Sequence, residues 1–203
     1  MPFKSVCLAL SFSEVTPTPE ESCAAEKRIT SAATIAGITV EFQTVQQSYT
    51  DTNRCLAKAA RPNDIVIVSR SMNGFPLDRD LIEAMLFTSG RPVLVIPPNW
   101  EKGAEFQNII IGWDGGARAP RAVGDAMPLL TRAEGVEIVC VVPDASKSVV
   151  GAYAHPKLLQ MVRGGVTSGM LSEAELPVLL SDRINRKLYT CIKFPSLHFQ
   201  WPH

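Results

Sequence analysis

Histidine is scarce in this chain of 203 residues, with His155, His198 and His203 making up the whole set. His198 and His203 are too isolated to argue for a metal. The five cysteines, Cys7, Cys23, Cys55, Cys140 and Cys191, form no CxxC and no Cys/His cluster. That pattern argues against both a zinc site and a disulfide framework, and fits reduced thiols in the cytosol. No stretch reaches the roughly 20 consecutive apolar residues of a membrane span. The opening segment turns polar and proline-rich after a short apolar run, unlike a signal peptide. A cytoplasmic protein without membrane contact is expected. Net charge is also missing, at +0, so no basic field draws the whole protein to nucleic acid. There is no nucleophile elbow, no Ser/His/Asp order, no Walker sequence and no GxGxxG. No catalytic residue and no metal site are therefore assigned.

What is present is ordinary globular composition, 46% hydrophobic and 20% charged, in a length that suits one large α/β domain or two small ones. Short β-branched runs lie at 5–10, 38–45, 65–68, 93–96, 109–112, 136–142 and 178–180. Most are continuously apolar, as strands buried on both faces are, which predicts a mainly parallel sheet covered by helices. After Asp114 the apolar positions Ala119, Ala122, Val123, Ala126, Met127 and Leu130 form one helical stripe. Pro120 falls in its first turn and Pro128 predicts a kink. A second helix is predicted over 80–89, stopped by Gly90, and a third over 166–174. The class is α/β, a doubly wound, Rossmann-like sheet.

Self-comparison shows an internal repeat. Arg91-Pro-Val-Leu-Val-Ile96 returns as Leu176-Pro-Val-Leu-Leu-Ser181 at a constant offset that also aligns 65–68 with 150–153. Phe3-Lys-Ser-Val-Cys-Leu-Ala-Leu-Ser11 likewise matches Phe106-Gln-Asn-Ile-Ile-Ile-Gly-Trp-Asp114. Two related modules follow, at 1–97 and 106–181, joined by a polar, proline-bearing linker.

The second module carries the candidate small-ligand loop, from Gly151 to Thr167. Gly164 and Gly165 allow close backbone approach and precede a predicted helix, whose N-terminal amides favour an anion. The hydroxyl of Thr167 adds a donor, and Lys157 or Arg163 supplies positive charge. A plain helix-capping turn accounts for the same glycines.

Gly151-Ala-Tyr-Ala-His-Pro, then Gly164-Gly-Val-Thr167, then Leu176-Pro-Val-Leu-Leu180 resemble the end of a universal stress protein. Phe106 to Asp114 and Val136-Glu-Ile-Val-Cys-Val-Val142 resemble its start, and the whole layout is similar to an internally shortened tandem form of that family. The resemblance implies a sheet of the adenine nucleotide alpha hydrolase type, with ligands at the carboxyl ends of the strands. It implies ATP with Mg²⁺ bound by Asp114, Val142, Gly151, Gly164, Gly165 and Thr167, with Ala154 and His155 beside them. This chain departs from the family pattern at Ala154, where a second glycine is usual, and at Gly165, where Ser or Thr is usual. In the first module Ser11 replaces the Asp, Val66 and Ser69 replace two glycines, and Arg79-Asp80 replaces the last pair, so no nucleotide is expected there.

The resemblance also implies pairing of the strands opened by Pro92 and Pro177, at 92–96 and 177–181, either within a pseudo-dimer or in a homodimer. A regulatory or adaptor role follows, with a non-nucleotide-binding interaction protein of the stress response as the alternative. Weak ATP hydrolysis involving His155 is the most enzymatic reading. The stretch 182–203 is unrelated to the repeat, basic and aromatic, and reads as a flexible tail.

Overall fold

Seven strands form one mixed sheet in the computed structural model, which describes residues 4–9, 19–43, 49–71, 75–98, 100, 103, 106–113, 119–140, 176–181 and 190–193. The first block is β1 (Val6–Ala9), β2 (Ile65–Ser69) and β3 (Val93–Ile96), all parallel. Its runs are dominated by β-branched residues, which fit a pleated surface covered on both sides. The second block is β4 (Asn108–Trp113) and β5 (Gly135–Cys140), also parallel, and β6 (Val178–Ser181). A seventh strand, β7 (Thr190–Lys193), runs antiparallel to both β6 and β4. The order across the sheet is β1-β2-β3-β6-β7-β4-β5. β1–β2, β2–β3 and β4–β5 pair in parallel, as expected. The antiparallel pairs gather at β3–β6, β6–β7 and β7–β4.

Helices cover both faces. On one lie α2 (Tyr49–Ala60) and α3 (Phe75–Ala84), the latter running on into a π-helical turn, Met85–Ser89. Ala57, Ala60, Leu81, Ile82, Met85 and Leu86 pack there against Val66, Val68, Val93, Val95, Val178 and Leu180. Gly90 ends the turn at φ 67, a left-handed conformation that suits glycine. The Ser89 hydroxyl donates to the Met85 carbonyl and accepts from the Arg91 amide. The Arg61 guanidinium donates to the Thr88 carbonyl, with both nitrogens at 3.2 Å, and Arg91 Nε donates to the Arg61 carbonyl at 2.7 Å. These bonds satisfy carbonyls that a helix end leaves open.

On the other face lies α4 (Ala119–Leu130). It brings Ala119, Ala122 and Ala126 against the sheet, as its stripe predicts. Pro120 sits in its first turn, and the helix continues through Pro128 to its end two residues later. Leu94, Leu179, Ile109 and Ile111 form the floor of this second core. The junction between the blocks is pinned to it: Trp100 packs against this core, and its indole N–H donates to the Gly103 carbonyl at 2.8 Å.

The β3–β6 seam joins the two cores. Leu94 pairs with Leu179, Val93 with Leu180 and Val95 with Val178. All six are buried. The sequence repeat makes Leu94 and Leu179 equivalent, so the local two-fold of this pair passes between equivalent residues.

Two expectations are corrected. Residues 38–43, predicted as a strand with 44–45, lie in no strand or helix, and Ile38 is 63% exposed. A strand exists only where a neighbour accepts its ladder, and among the described residues this segment has none. Instead the preceding residues form α1 (Pro19–Ala36). It ends in a Schellman turn: Gly37 at φ 68 donates to the Thr34 carbonyl, and Ile38 to that of Ala33. Finally, Thr190–Lys193, within the stretch read as a flexible tail, pairs in the interior of the sheet. A strand with partners on both sides gains a full ladder whatever its own composition. The helix predicted over 166–174 lies outside the described residues.

Two outcomes follow. Leu179→Ala removes a side chain from the seam with the second core on one side, and should cost about 2–5 kcal/mol, read as a lower urea midpoint at unchanged slope. Asp64 accepts from the backbone N–H of Lys4, at 2.7 Å, and of Ser5, at 3.2 Å, and these bonds hold its carboxyl below the ordinary 3.8. A depressed folded-state value contributes stability that is present above the unfolded value and lost as pH falls through the folded one. Acid titration below about pH 4 should therefore destabilise the natural chain more steeply than Asp64→Asn.

Candidate functional site

Ligands of open α/β sheets sit at the carboxyl ends of the strands. Here the seam reverses direction, so the carboxyl ends of β1, β2 and β3 lie at one end of the sheet. Those of β4, β5 and β6 lie at the other. A strand-end site of the first block and one of the second are thus at opposite ends of the sheet.

At the first end, β2 runs out through Arg70, whose amide donates to the Ile96 carbonyl at 2.9 Å. Ser71 follows. Its amide and its hydroxyl both donate to one carboxylate oxygen of Asp78, each at 2.7 Å. Asp78 stands in the first turn of α3, where the helix dipole favours negative charge, and is 2% exposed. Burial pushes the Arg70 guanidinium down in pKa, and the Asp78 charge acts against that shift. A carboxylate of the protein itself therefore takes the donors at this strand end.

The sequence comparison assigned that filling role to Arg79 and Asp80. Both are exposed, and Arg79 forms an ion pair with Glu83 at 2.8 Å, one helical turn on. The residue that closes the strand end is Asp78. The available signal was an acidic residue in a helix's first turn a few positions after a strand-terminal serine.

At the opposite end, β6 finishes in Ser181, which is buried. Its hydroxyl donates to Asp125 of α4 at 2.5 Å. Asp125 is the sole acidic residue in α4 and adjoins Ala126 on the sheet-facing stripe, a signal that the apolar pattern hid. The pair ties the helix to the seam strand. Every histidine of the chain lies outside the described residues. Burial pushes the Cys7 thiol up in pKa, which lowers its thiolate fraction.

The sequence-derived nucleotide residues, Asp114, Val142, Gly151, Ala154, His155, Gly164, Gly165 and Thr167, also lie outside the described residues. Among the described residues no group of three or more His, Cys, Asp or Glu side chains is placed to hold a metal ion. No described helix is long and apolar enough to cross a membrane. Set against family models, curated proteins and solved structures, the chain matches none of them.

Removing the Asp78 carboxylate leaves two donors of Ser71 without their acceptor. Asp78→Ala should cost about 1.5–3 kcal/mol in urea unfolding, and Asp78→Asn, which keeps an accepting oxygen, distinctly less.

Proposed function

We propose that this chain is a regulatory or adaptor protein of the universal-stress type, acting in the cytoplasm and built from two related halves. Its second half takes one adenine nucleotide, ATP with Mg²⁺, through Asp114, Gly151, Gly164, Gly165 and Thr167. The observation that carries this reading is the register of the β3–β6 seam. It sets the repeat-equivalent leucines Leu94 and Leu179 opposite each other, as two copies of one module related by a two-fold would. The closing of the first strand end by Asp78 limits the chain to one nucleotide. Binding rather than turnover is its proposed work.

Calorimetric titration of the full chain with ATP and Mg²⁺ tests the reading. The expected result is one site per chain, and absence of heat at millimolar ATP overturns nucleotide binding.

A second reading is favoured by Asp78: if one strand end is closed by the protein itself, the other half can have lost its ligand too. Ala154 and Gly165, where the family has glycine and Ser or Thr, point the same way. On that reading the chain is an interaction protein, and the double substitution Ala154→Gly with Gly165→Ser creates ATP affinity that the natural chain lacks. Equal affinity in both removes its basis.

A further inference from the structure

The outer strands of the two blocks end differently. β4 is followed by α4 and then by β5, which pairs with its outer edge: Ile109 faces Val136, Ile110 faces Glu137 and Ile111 faces Ile138. β1 is followed by α1 and then by residues 38–43, yet no described strand lies on its outer edge. Val6 and Leu8 point to the face that α4 covers elsewhere, and are 49% and 46% exposed.

No described residue of α1 is buried. Its least exposed positions, Ser22, Ala25, Glu26, Ile29 and Ala33, fall on one stripe. Ser22, Ala25, Ile29 and Ala33 have the same spacing as Ala119, Ala122, Ala126 and Leu130, by which α4 lies on the sheet. After each helix a glycine opens an alternating segment, Gly37-Ile-Thr-Val40 in one half and Gly135-Val-Glu-Ile138 in the other. An uncovered helix, an unpaired segment and a bare strand edge thus occur together, in the order that is closed in the other half.

We propose that residues 19–43 form a hinged arm that closes on its own chain. In the closed state residues 38–42 add an eighth strand, parallel to β1, and α1 lies over Val6 and Leu8. Gly37, in its left-handed turn, reverses the chain between α1 and this strand. Closure is local in sequence, so its loop-closure entropy is small. It makes β1–α1–(38–42) a right-handed crossover like β4–α4–β5. It buries apolar side chains that the open arm leaves in water and covers an edge that otherwise invites association. The open arm leaves that edge available to another strand, so the arm is a conformational switch on the sheet's outer side.

The register is specific. The match of Phe3–Ser11 to Phe106–Asp114 carries the β4–β5 pairing onto β1. It sets Val6 opposite Ile38, Cys7 opposite Thr39 and Leu8 opposite Val40. The inference rests on the two-half reading but not on nucleotide binding, so its failure leaves the calorimetric result untouched.

The test uses the full chain with Cys23, Cys55, Cys140 and Cys191 replaced by serine and Cys7 kept. Thr39→Cys is compared with Val40→Cys under dilute oxidation, and disulfides are mapped by mass spectrometry. Directly opposed side chains are within bonding reach, whereas the neighbouring residue points to the other face. The expected result is an intrachain disulfide to Cys7 formed at least about tenfold faster by Thr39→Cys than by Val40→Cys. Equal rates from the two, or no disulfide from either, overturn the proposal. A disulfide joining two chains overturns it in favour of arm exchange between copies. Hydrogen exchange on the natural chain is the second measurement: protection of the 39–42 amides is expected, and exchange at the rate of an unstructured peptide overturns closure.

Discussion

The antiparallel ladder between β3 and β6 is the contact on which the rest of the molecule depends. Its side chains alternate between faces. Val93, Val95, Val178 and Leu180 enter the core under α2 and α3, while Leu94 and Leu179 enter the core under α4. Neither core is complete without residues from both strands. Because an antiparallel pair reverses the chain, the seam also sends the two sets of carboxyl ends to opposite ends of the sheet. The separation of the two candidate strand ends follows from this one pairing.

Outside the apolar cores, three carboxylates tie elements together. Asp78 accepts from Ser71, Asp125 from Ser181 and Asp64 from the backbone of Lys4 and Ser5. Each joins elements distant in sequence or closes a loop. Hydrogen bonds to a charged group contribute more than neutral ones, and their loss leaves donors unsatisfied. Asp78 takes both donors of Ser71 at the carboxyl end of the first block. Among the described strands β1 lacks the outer partner that β4 has.

Much of the sheet was legible in advance. The runs that became β1 to β6 are dominated by β-branched or other apolar residues, and such runs pair almost wherever they can reach a neighbour. The helix stripe of α4 and the stop at Gly90 were equally plain. α1 and α2 were not read at all. α1 is nearly polar all round, and only a shallow stripe through Ala25 and Ile29 marks its inner side. β7 was hidden for the opposite reason: Thr-Cys-Ile-Lys has no compelling pattern, and its place comes from the gap between β6 and β4. For the site, Asp78 was missed by two positions because its role depends on the reach back to Ser71, which spacing alone does not reveal.

The sequence by itself determined the α/β class, the positions of most strands and the repeat that relates Leu94 to Leu179. These rest on periodicity and identity, which are properties of the chain alone. Only the tertiary structure decided that equivalent leucines meet across a seam, that a short segment near 190 enters the sheet, and that Asp78 closes one strand end while no described strand lies on the outer edge of β1. Each of these depends on which backbone donors and acceptors find partners in space, and that is settled by pairing between segments far apart in the chain rather than by any segment's own composition.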